Sequence, residues 1–219
     1  REFEVEDITK VNSTYAVQVK GKSPITCKRV IVALHRDGVA GLKCFKDHPL
    51  LKVVKMRPLV RMYAVFPPAA GNKVWFHDLK KFVCKSPLRY IIPIDPTRGI
   101  IMISYTDGSD AEAWLKKLDS VGAEKIQKEV MTEIRELFPE KEIPEPAFFK
   151  VHPWYDGCSY WTPGRYDIEK ASIAAIRPLE SMPGVWMCGE SWNPCQCWID
   201  SALNHARRLL DRFLKTPMA

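Results

Sequence analysis

The sequence lacks the long apolar segments that mark membrane-spanning and exported proteins. No apolar run approaches the roughly 20 residues that a membrane span needs. The chain opens directly into the charged stretch REFEVED, without an apolar segment of the signal-peptide type. Internal repeats and low-complexity segments are also missing. With 219 residues and 46% hydrophobic content, the chain is predicted to fold as one domain or two small ones.

Metal-ligand spacing is missing among the seven cysteines. Cys188, Cys195 and Cys197 form C-x6-C-x-C, which matches no common zinc pattern, and His205 is the candidate fourth ligand two helical turns further on. An odd cysteine count without close pairs favours reduced thiols over a disulfide framework. We therefore predict no metal site and an intracellular protein, with the compartment left open.

Positive charge is in excess, with a formal net charge of +7. The densest basic group lies toward the end of a predicted helix, where cations suit the helix dipole: Arg207, Arg208, Arg212 and Lys215. No zinc-finger spacing or RNA-binding aromatic signature accompanies it. A solvated helix face is the favoured interpretation, and a basic nucleic-acid-binding module is kept as an alternative.

Alternating and continuous apolar patterns predict strands in the first half of the chain. Residues 15–19 alternate between apolar and polar side chains, and a turn follows them. Residues 25–34 (ITCKRVIVAL) end in a continuous apolar run, which is typical of a strand buried on both faces. Four later segments predict a second, mostly antiparallel sheet: residues 59–66, 74–76, 88–94 and 100–105.

Helical spacing dominates the later part of the chain. Ser109 is predicted to cap the helix DAEAWLKKL, and residues 121–138 form an apolar stripe that ends at Pro139. Prolines interrupt residues 139–163, and a final helix covers about residues 199–214. Its predicted apolar positions are Ala202, Leu203, Ala206, Leu209, Leu210, Phe213 and Leu214.

This order predicts an α/β fold combined with an α+β unit. Residues 1–38 and 153–219 are expected to form part of a Rossmann-like nucleotide domain, the second range supplying its terminal strand and helix. Residues 39–152 are expected to form a separate domain with a mixed or antiparallel sheet and helices.

The segment VWMCGESWNPCQCWIDSALNHARRLL places a buried strand, a Gly-Glu pair, a loop and a helix in succession. Ligands of open α/β sheets lie beyond the carboxyl ends of strands, so Glu190 is a candidate acceptor for a ligand hydroxyl. The helix N-terminus, with Asp200 in its first turn, is a candidate site for an anion or a carbonyl oxygen. The alternative is that Glu190 is a surface loop residue and Asp200 only a dipole partner.

That segment resembles the closing motif of the flavin-dependent amine oxidases, the family of monoamine, polyamine and L-amino-acid oxidases. The resemblance implies non-covalent FAD, with Gly189 and Glu190 near its ribityl and phosphate part. It also implies that the backbone N–H near Ile199 meets the flavin pyrimidine oxygen, at a helix that begins with small residues such as Ala202.

Other segments resemble the same family in the same order, which implies that residues 39–152 form its substrate domain. EVEDI, at Val5, is similar to the segment that touches adenine, and RPLVRMYAVFP places Arg61 where the family has its active-site lysine. WYDGCSYWTPG, from Trp154, is similar to the segment that returns to the flavin. Trp198 corresponds to one aromatic of the substrate cage, and Tyr160 or Trp161 supplies the other.

Two departures from the family are visible. The fingerprint G-x-G-x-x-G is absent, so the chain looks like a C-terminal half whose Rossmann half comes from the same gene or another chain. Without that half, FAD is expected to bind weakly or not at all. Arginine also has a wider, delocalised charge than the lysine it replaces at position 61.

The resemblance implies an oxidoreductase that oxidises a small amine by hydride transfer to flavin, with oxygen as acceptor and hydrogen peroxide as product. The isolated chain is expected to be inactive. Arg61, Trp198 and Tyr160 are the candidate catalytic residues. The alternative within the family is an inactive descendant that acts as a structural or interaction protein.

Overall fold

A computed structural model describes residues 3–68 and 71–217. The chain divides into two compact units, one made of Arg1–Met56 and Cys158–Ala219, the other of Arg57–Gly157. The two units divide after Met56 and after Gly157, whereas the sequence predicted domain borders at 38/39 and 152/153. Assignment of these units to cofactor and substrate stays a prediction.

The first unit begins with an antiparallel meander. Strands β1 (Val5–Val11), β2 (Thr14–Val19) and β3 (Ile25–Cys27) pair in that order, which confirms the expected hairpin. Strand β4 (Val30–Val32) leaves this sheet and pairs in parallel with the later strand β10 (Val185–Met187). Residues 25–34 are therefore two strands in two sheets, separated by a bend, and not the single strand expected.

Short helices complete the first unit, and the sequence patterns missed most of them. They are α1 (Arg36–Ala40), a 3-10 turn (Lys43–Phe45), α2 (Leu50–Val53) and α4 (Ile168–Ala175). A second 3-10 turn (Glu190–Trp192) precedes the terminal helix α5 (Ile199–Phe213). The first three are too short to show helical periodicity. Their residues Val39 and Phe45 are nevertheless part of the core of this unit, together with Ile8, Val54, Met187 and Trp192.

Helix α5 confirms the predicted terminal helix, but its apolar positions divide between two faces. Ser201, His205 and Leu209 are buried, with Ala206 and Phe213 packed beside Leu209. Three apolar residues of the predicted stripe are instead exposed: Leu203, Leu210 and Leu214.

The second unit is built on a five-stranded sheet in the order β6-β7-β8-β5-β9. Its strands are β5 (Val54–Val65), β6 (Phe82–Val83), β7 (Tyr90–Asp95), β8 (Ile100–Asp107) and β9 (Phe148–Trp161). The chain passes between the two units within β5 and β9. Strand β5 pairs with β8, β8 with β7 and β7 with β6, all antiparallel, as predicted for this sheet. Alternation along β5 buries Val60, Met62 and Ala64 and leaves the intervening side chains partly exposed.

In this unit one predicted strand is absent, and one long observed strand was not predicted. Residues 74–76 form no strand, because Trp75 and Phe76 pack edge-on against Phe66 in the core as part of a turn. Strand β9 was missed because Pro153 lies inside it. An edge strand tolerates proline, since its missing N–H interrupts no ladder between two neighbours.

Helix α3 (Gly108–Leu137) covers the predicted pair of helices, which meet at Gly122, where φ is +77°. The cap is Asp107 rather than Ser109, because Asp107 keeps the extended backbone of β8 and Ser109 is already helical. The predicted stripe is confirmed, since Ile126, Val130 and Ile134 are buried in the core of this unit.

Candidate functional site

The Gly-Glu pair lies just past the carboxyl end of β10, beside the carboxyl end of its parallel partner β4. Gly189 has φ +144° and ψ 171°, a conformation that is essentially restricted to glycine. This backbone turns the chain into the loop that carries Glu190. The predicted position at the end of a parallel strand is therefore the observed one.

Glu190 is a hydrogen-bond centre for its own loop. Its carboxylate accepts from the Ser159 hydroxyl, which lies 2.8 Å from both oxygens, and from the Ser191 hydroxyl at 3.2 Å. The backbone N–H of Cys197 donates to the same carboxylate at 2.9 Å. Cys197 has φ +75°, which is unfavourable for a residue with a side chain, so this bond helps to hold a strained turn.

Further side chains fix the loop against the elements around it. The Trp192 indole donates to the Leu34 carbonyl at 3.1 Å, and the Trp161 indole donates to the Asn193 carbonyl at 3.0 Å. Trp192 itself is completely buried. The segment between β10 and α5 is thus ordered by its own contacts, which suits a wall that a ligand approaches.

Helix α5 begins at this loop. Its N-cap residue, Trp198, supplies no side-chain cap bond, so the cap residue does not satisfy the first N–H groups of the helix. Trp198 and Ile199 are 73% and 80% exposed, which is unusual for large apolar side chains. An apolar surface thus flanks a helix N-terminus with a positive partial charge.

Arg61 belongs to the second unit and lies among aromatic rings. Its guanidinium carbon is 4.9 Å from the ring centre of Tyr105, its cross-strand partner, and 5.7 Å from that of Trp154. Its Nε is buried without a hydrogen-bond partner. Trp154 in turn stacks on His152, which meets Tyr63 edge-on. Two aromatic rings thus face this guanidinium within the second unit.

The predicted site residues fall into two groups. Gly189, Glu190, Trp198, Ile199 and Ala202 are contiguous in the first unit, while Arg61 and Trp154 share the aromatic face of the second. The first unit also holds Val5, at the start of β1 and 37% exposed, and Tyr160, half-buried on β9.

Sequence reasoning missed Ser159 and Tyr105. Ser159 is fully buried, and only its pairing with Glu190 shows its role. Tyr105 was placed on a strand, but its pairing with Arg61 depends on the β5–β8 register. That register is shifted between Met62 and Tyr63, so no local pattern specified it.

All seven cysteines are free thiols, and burial raises the pKa of the Cys188 thiol. The part of the chain that the structure describes contains no group of three or more possible metal ligands. Nor does any helix within residues 3–68 and 71–217 have the length and apolar character to cross a membrane.

Comparisons with known proteins agree with this geometry. The family described as flavin containing amine oxidoreductase matches residues 3–209. Among solved structures, the chain is similar to a protein from Exiguobacterium sp. 255-15 provisionally described as a protoporphyrinogen oxidase, with a TM-score of 0.74 and 13% identity. The match covers 98% of this chain and 47% of that one, so the chain spans about half of its structural relative. No curated protein matches the sequence.

Proposed function

The chain belongs to the flavin-containing amine oxidoreductase family, and from that premise we propose that it is the C-terminal half of an FAD-dependent oxidoreductase acting on a small amine. The observation that carries this proposal is the Glu190 loop, which joins a parallel strand to an uncapped helix. In the proposed function this loop forms one wall of the cofactor site. A Rossmann half, which brings the diphosphate-binding turn, forms the other.

Exposed apolar surface in the first unit supports a missing half. Parallel sheets are normally covered on both faces, yet β4 and β10 form a sheet of two strands in which Ile31 is 44% exposed. On α5, Leu203 and Leu214 are 66% and 79% exposed. Further strands and helices would bury these residues, as the 47% coverage of the structural relative also suggests.

The residues present fit a flavin at this wall. The N–H groups at the start of α5 suit a carbonyl oxygen of the ring, and Trp198 and Ile199 offer apolar contact to it. Gly189 adopts φ +144°, a backbone conformation that a residue with a side chain rarely adopts, so glycine allows the turn that leads from β10 into this loop. Bound FAD would supply the hydride-accepting chemistry.

Glu190 and Arg61 have different proposed roles. The Glu190 carboxylate already accepts three donors, so it orders the loop and has little capacity left for a ligand hydroxyl. Arg61 places a permanent positive charge on the aromatic face of the second unit, where a substrate would be oriented. Trp198 and Tyr160 are proposed to exclude water and restrict the amine.

The test compares this chain alone with the assembled protein that includes the Rossmann half. We expect the chain alone to be nearly colourless after incubation with FAD and desalting. The assembled protein should retain flavin and release hydrogen peroxide with one or more members of an amine panel. Stoichiometric FAD on the chain alone, or no flavin on the assembled protein, would contradict the proposed division of the site.

The second candidate is a family descendant without oxidase activity that serves as a structural or interaction protein. The arrangement of Arg61 favours it, because a guanidinium between Tyr105 and Trp154 differs from the compact ammonium of the family. An assembled protein that retains flavin but releases no peroxide with any amine would support this candidate. Binding of RNA or DNA without flavin would support the basic module instead.

A further inference from the structure

A cavity lies in the first unit, at the opposite end of the parallel strands from Glu190. Its volume is about 200 Å³. Lys28 and Arg29, which precede β4, and Gly184, which precedes β10, are among its lining residues. The cavity therefore opens at the amino ends of these strands, whereas Gly189 and Glu190 follow the carboxyl end of β10.

Three cations border this cavity: Lys28, Arg29 and Arg177. Arg29 donates to the carbonyls of Thr216 and Pro217, both at 2.6 Å, and Arg177 donates to the Pro183 carbonyl at 3.0 Å. Within residues 3–68 and 71–217, none of the three forms an ion pair with a carboxylate. Neutral carbonyls thus position the two guanidinium groups without cancelling their charge.

One buried donor also lines the cavity. Tyr15 is 4% exposed, and its hydroxyl oxygen accepts from the Gly184 N–H at 2.8 Å, which leaves the hydroxyl proton to donate. Buried donors without acceptors are costly, so a ligand that supplies acceptor oxygens would be stabilised here.

Two exposed prolines, Pro183 and Pro217, give the cavity apolar walls. The buried Trp186 ring supports Arg177, whose guanidinium carbon lies 5.0 Å from the ring centre. We propose that this cavity binds a small organic anion whose carboxylate or phosphate faces the cations and the Tyr15 hydroxyl while its apolar body packs against Pro183 and Pro217. The proposal is independent of the flavin site.

The test is calorimetric titration of the full chain, without added FAD and at low salt, with benzoate and phenyl phosphate as probes. We expect saturable binding of at least one probe and none of benzamide, the neutral counterpart of benzoate. The stronger probe identifies the preferred head group. Binding of benzamide as tight as that of the anions, or no saturable binding of either anion, would overturn the proposal.

Variants then locate the binding. Arg177→Gln is expected to weaken binding of the better probe about tenfold, and Lys28→Gln, on the exposed rim, about threefold. Tyr15→Phe keeps the ring and removes the hydroxyl, so it should also weaken binding. Lys10→Gln on β1, an exposed lysine outside the cavity, is the control and should bind as the parent does. Lys28 has no hydrogen-bond or ion-pair partner among residues 3–68 and 71–217, so unchanged affinity in folded Lys28→Gln and Tyr15→Phe would refute the site even if Arg177→Gln unfolds.

Discussion

The Ser159 hydroxyl lies 2.8 Å from both carboxylate oxygens of Glu190, although 31 residues separate the two in sequence. This contact connects β9 to the loop after β10. Because Ser159 is fully buried and Glu190 is half-buried, the bond is shielded from water and contributes to the order of the loop.

Replacing Ser159 by alanine tests that contribution. Hydrogen bonds to charged groups are worth about 1.5–3 kcal/mol, so Ser159→Ala should lower the free energy of unfolding of the first unit by about this amount. Urea unfolding, monitored by tryptophan fluorescence, measures this free energy. Ser23→Ala, at an exposed turn, is the matched control and should change it little. Equal stability of the two variants would show that the bond is not stabilising.

Flavin retention in the assembled protein tests the role of the loop. Glu190→Gln replaces one carboxylate oxygen by an NH2 group, which cannot accept all three donors, so the loop should loosen and flavin should be lost more readily. Glu140→Gln, on an exposed segment of the second unit, should retain flavin as the parent does. Flavin absorbance after gel filtration measures the difference, and equal retention would remove Glu190 from the site.

Gly157 tests the close approach of β9 to β5. A Cβ at this position would lie 2.7 Å from the backbone nitrogen of Leu59, and backbone cannot move aside as a flexible side chain can. Gly157→Ala is therefore expected to destabilise the second unit by about 1–3 kcal/mol in thermal or urea unfolding. The control is Gly41→Ala, where φ is −72° and a Cβ meets only ordinary contacts at 3.5 Å. A tolerated Gly157→Ala would mean that the two strands are less closely packed.

His205 makes the stability of the first unit depend on pH. The residue is completely buried on α5, and its Nε2 donates to the Ser172 carbonyl at 3.1 Å. Burial lowers its pKa, with Arg208 and Arg212 adding to the effect while the Ser172 carbonyl and Glu169 oppose it. The unfolded chain therefore binds a proton more readily than the folded one.

Stability should accordingly fall as pH drops below about 6.5, the ordinary histidine value, and level off below the folded pKa. One such histidine changes the free energy of unfolding by at most about 1.4 kcal/mol per pH unit. The measurement is the free energy of unfolding between pH 8 and 5 in about half-unit steps. In His205→Gln this part of the slope should disappear, whereas His77→Gln, at an exposed histidine of the second unit, should leave it intact. A slope that persists in His205→Gln would assign it to other groups.

The contact between Arg61 and Tyr105 is testable by a double-mutant cycle. A partly shielded cation–π pair is worth about 0.5–2 kcal/mol, and Arg61→Gln with Tyr105→Leu should show coupling of this size in unfolding experiments. The control cycle combines Arg61→Gln with Tyr90→Leu, because the ring of Tyr90 contacts Tyr105 and not the Arg61 guanidinium. Coupling near zero for the first pair would make Tyr105 a neighbour without energetic consequence.

The sequence by itself determined the elements whose side chains repeat with a clear period. The pattern of residues 59–66 predicted the strand β5, and the stripe from Ile126 to Ile134 predicted the buried face of α3. The strand, Gly-Glu pair and helix at the end of the chain also predicted the family, because that resemblance lies in a local run of residues. These features depend on neighbours in sequence, so local patterns were sufficient.

Only the tertiary structure decided which distant groups meet. Residues 25–34 read as one apolar run, yet β3 pairs with β2 and β4 with β10, because each half finds a different partner strand. On α5 the same apolar spacing left Leu203 exposed and Leu209 buried, since burial depends on what packs against each face. Arg29 donates to the carbonyl of Thr216, 187 residues away, and Ser159 reaches Glu190 across two elements. Such contacts depend on strand register and on the packing of elements far apart in the chain, which no local periodicity encodes.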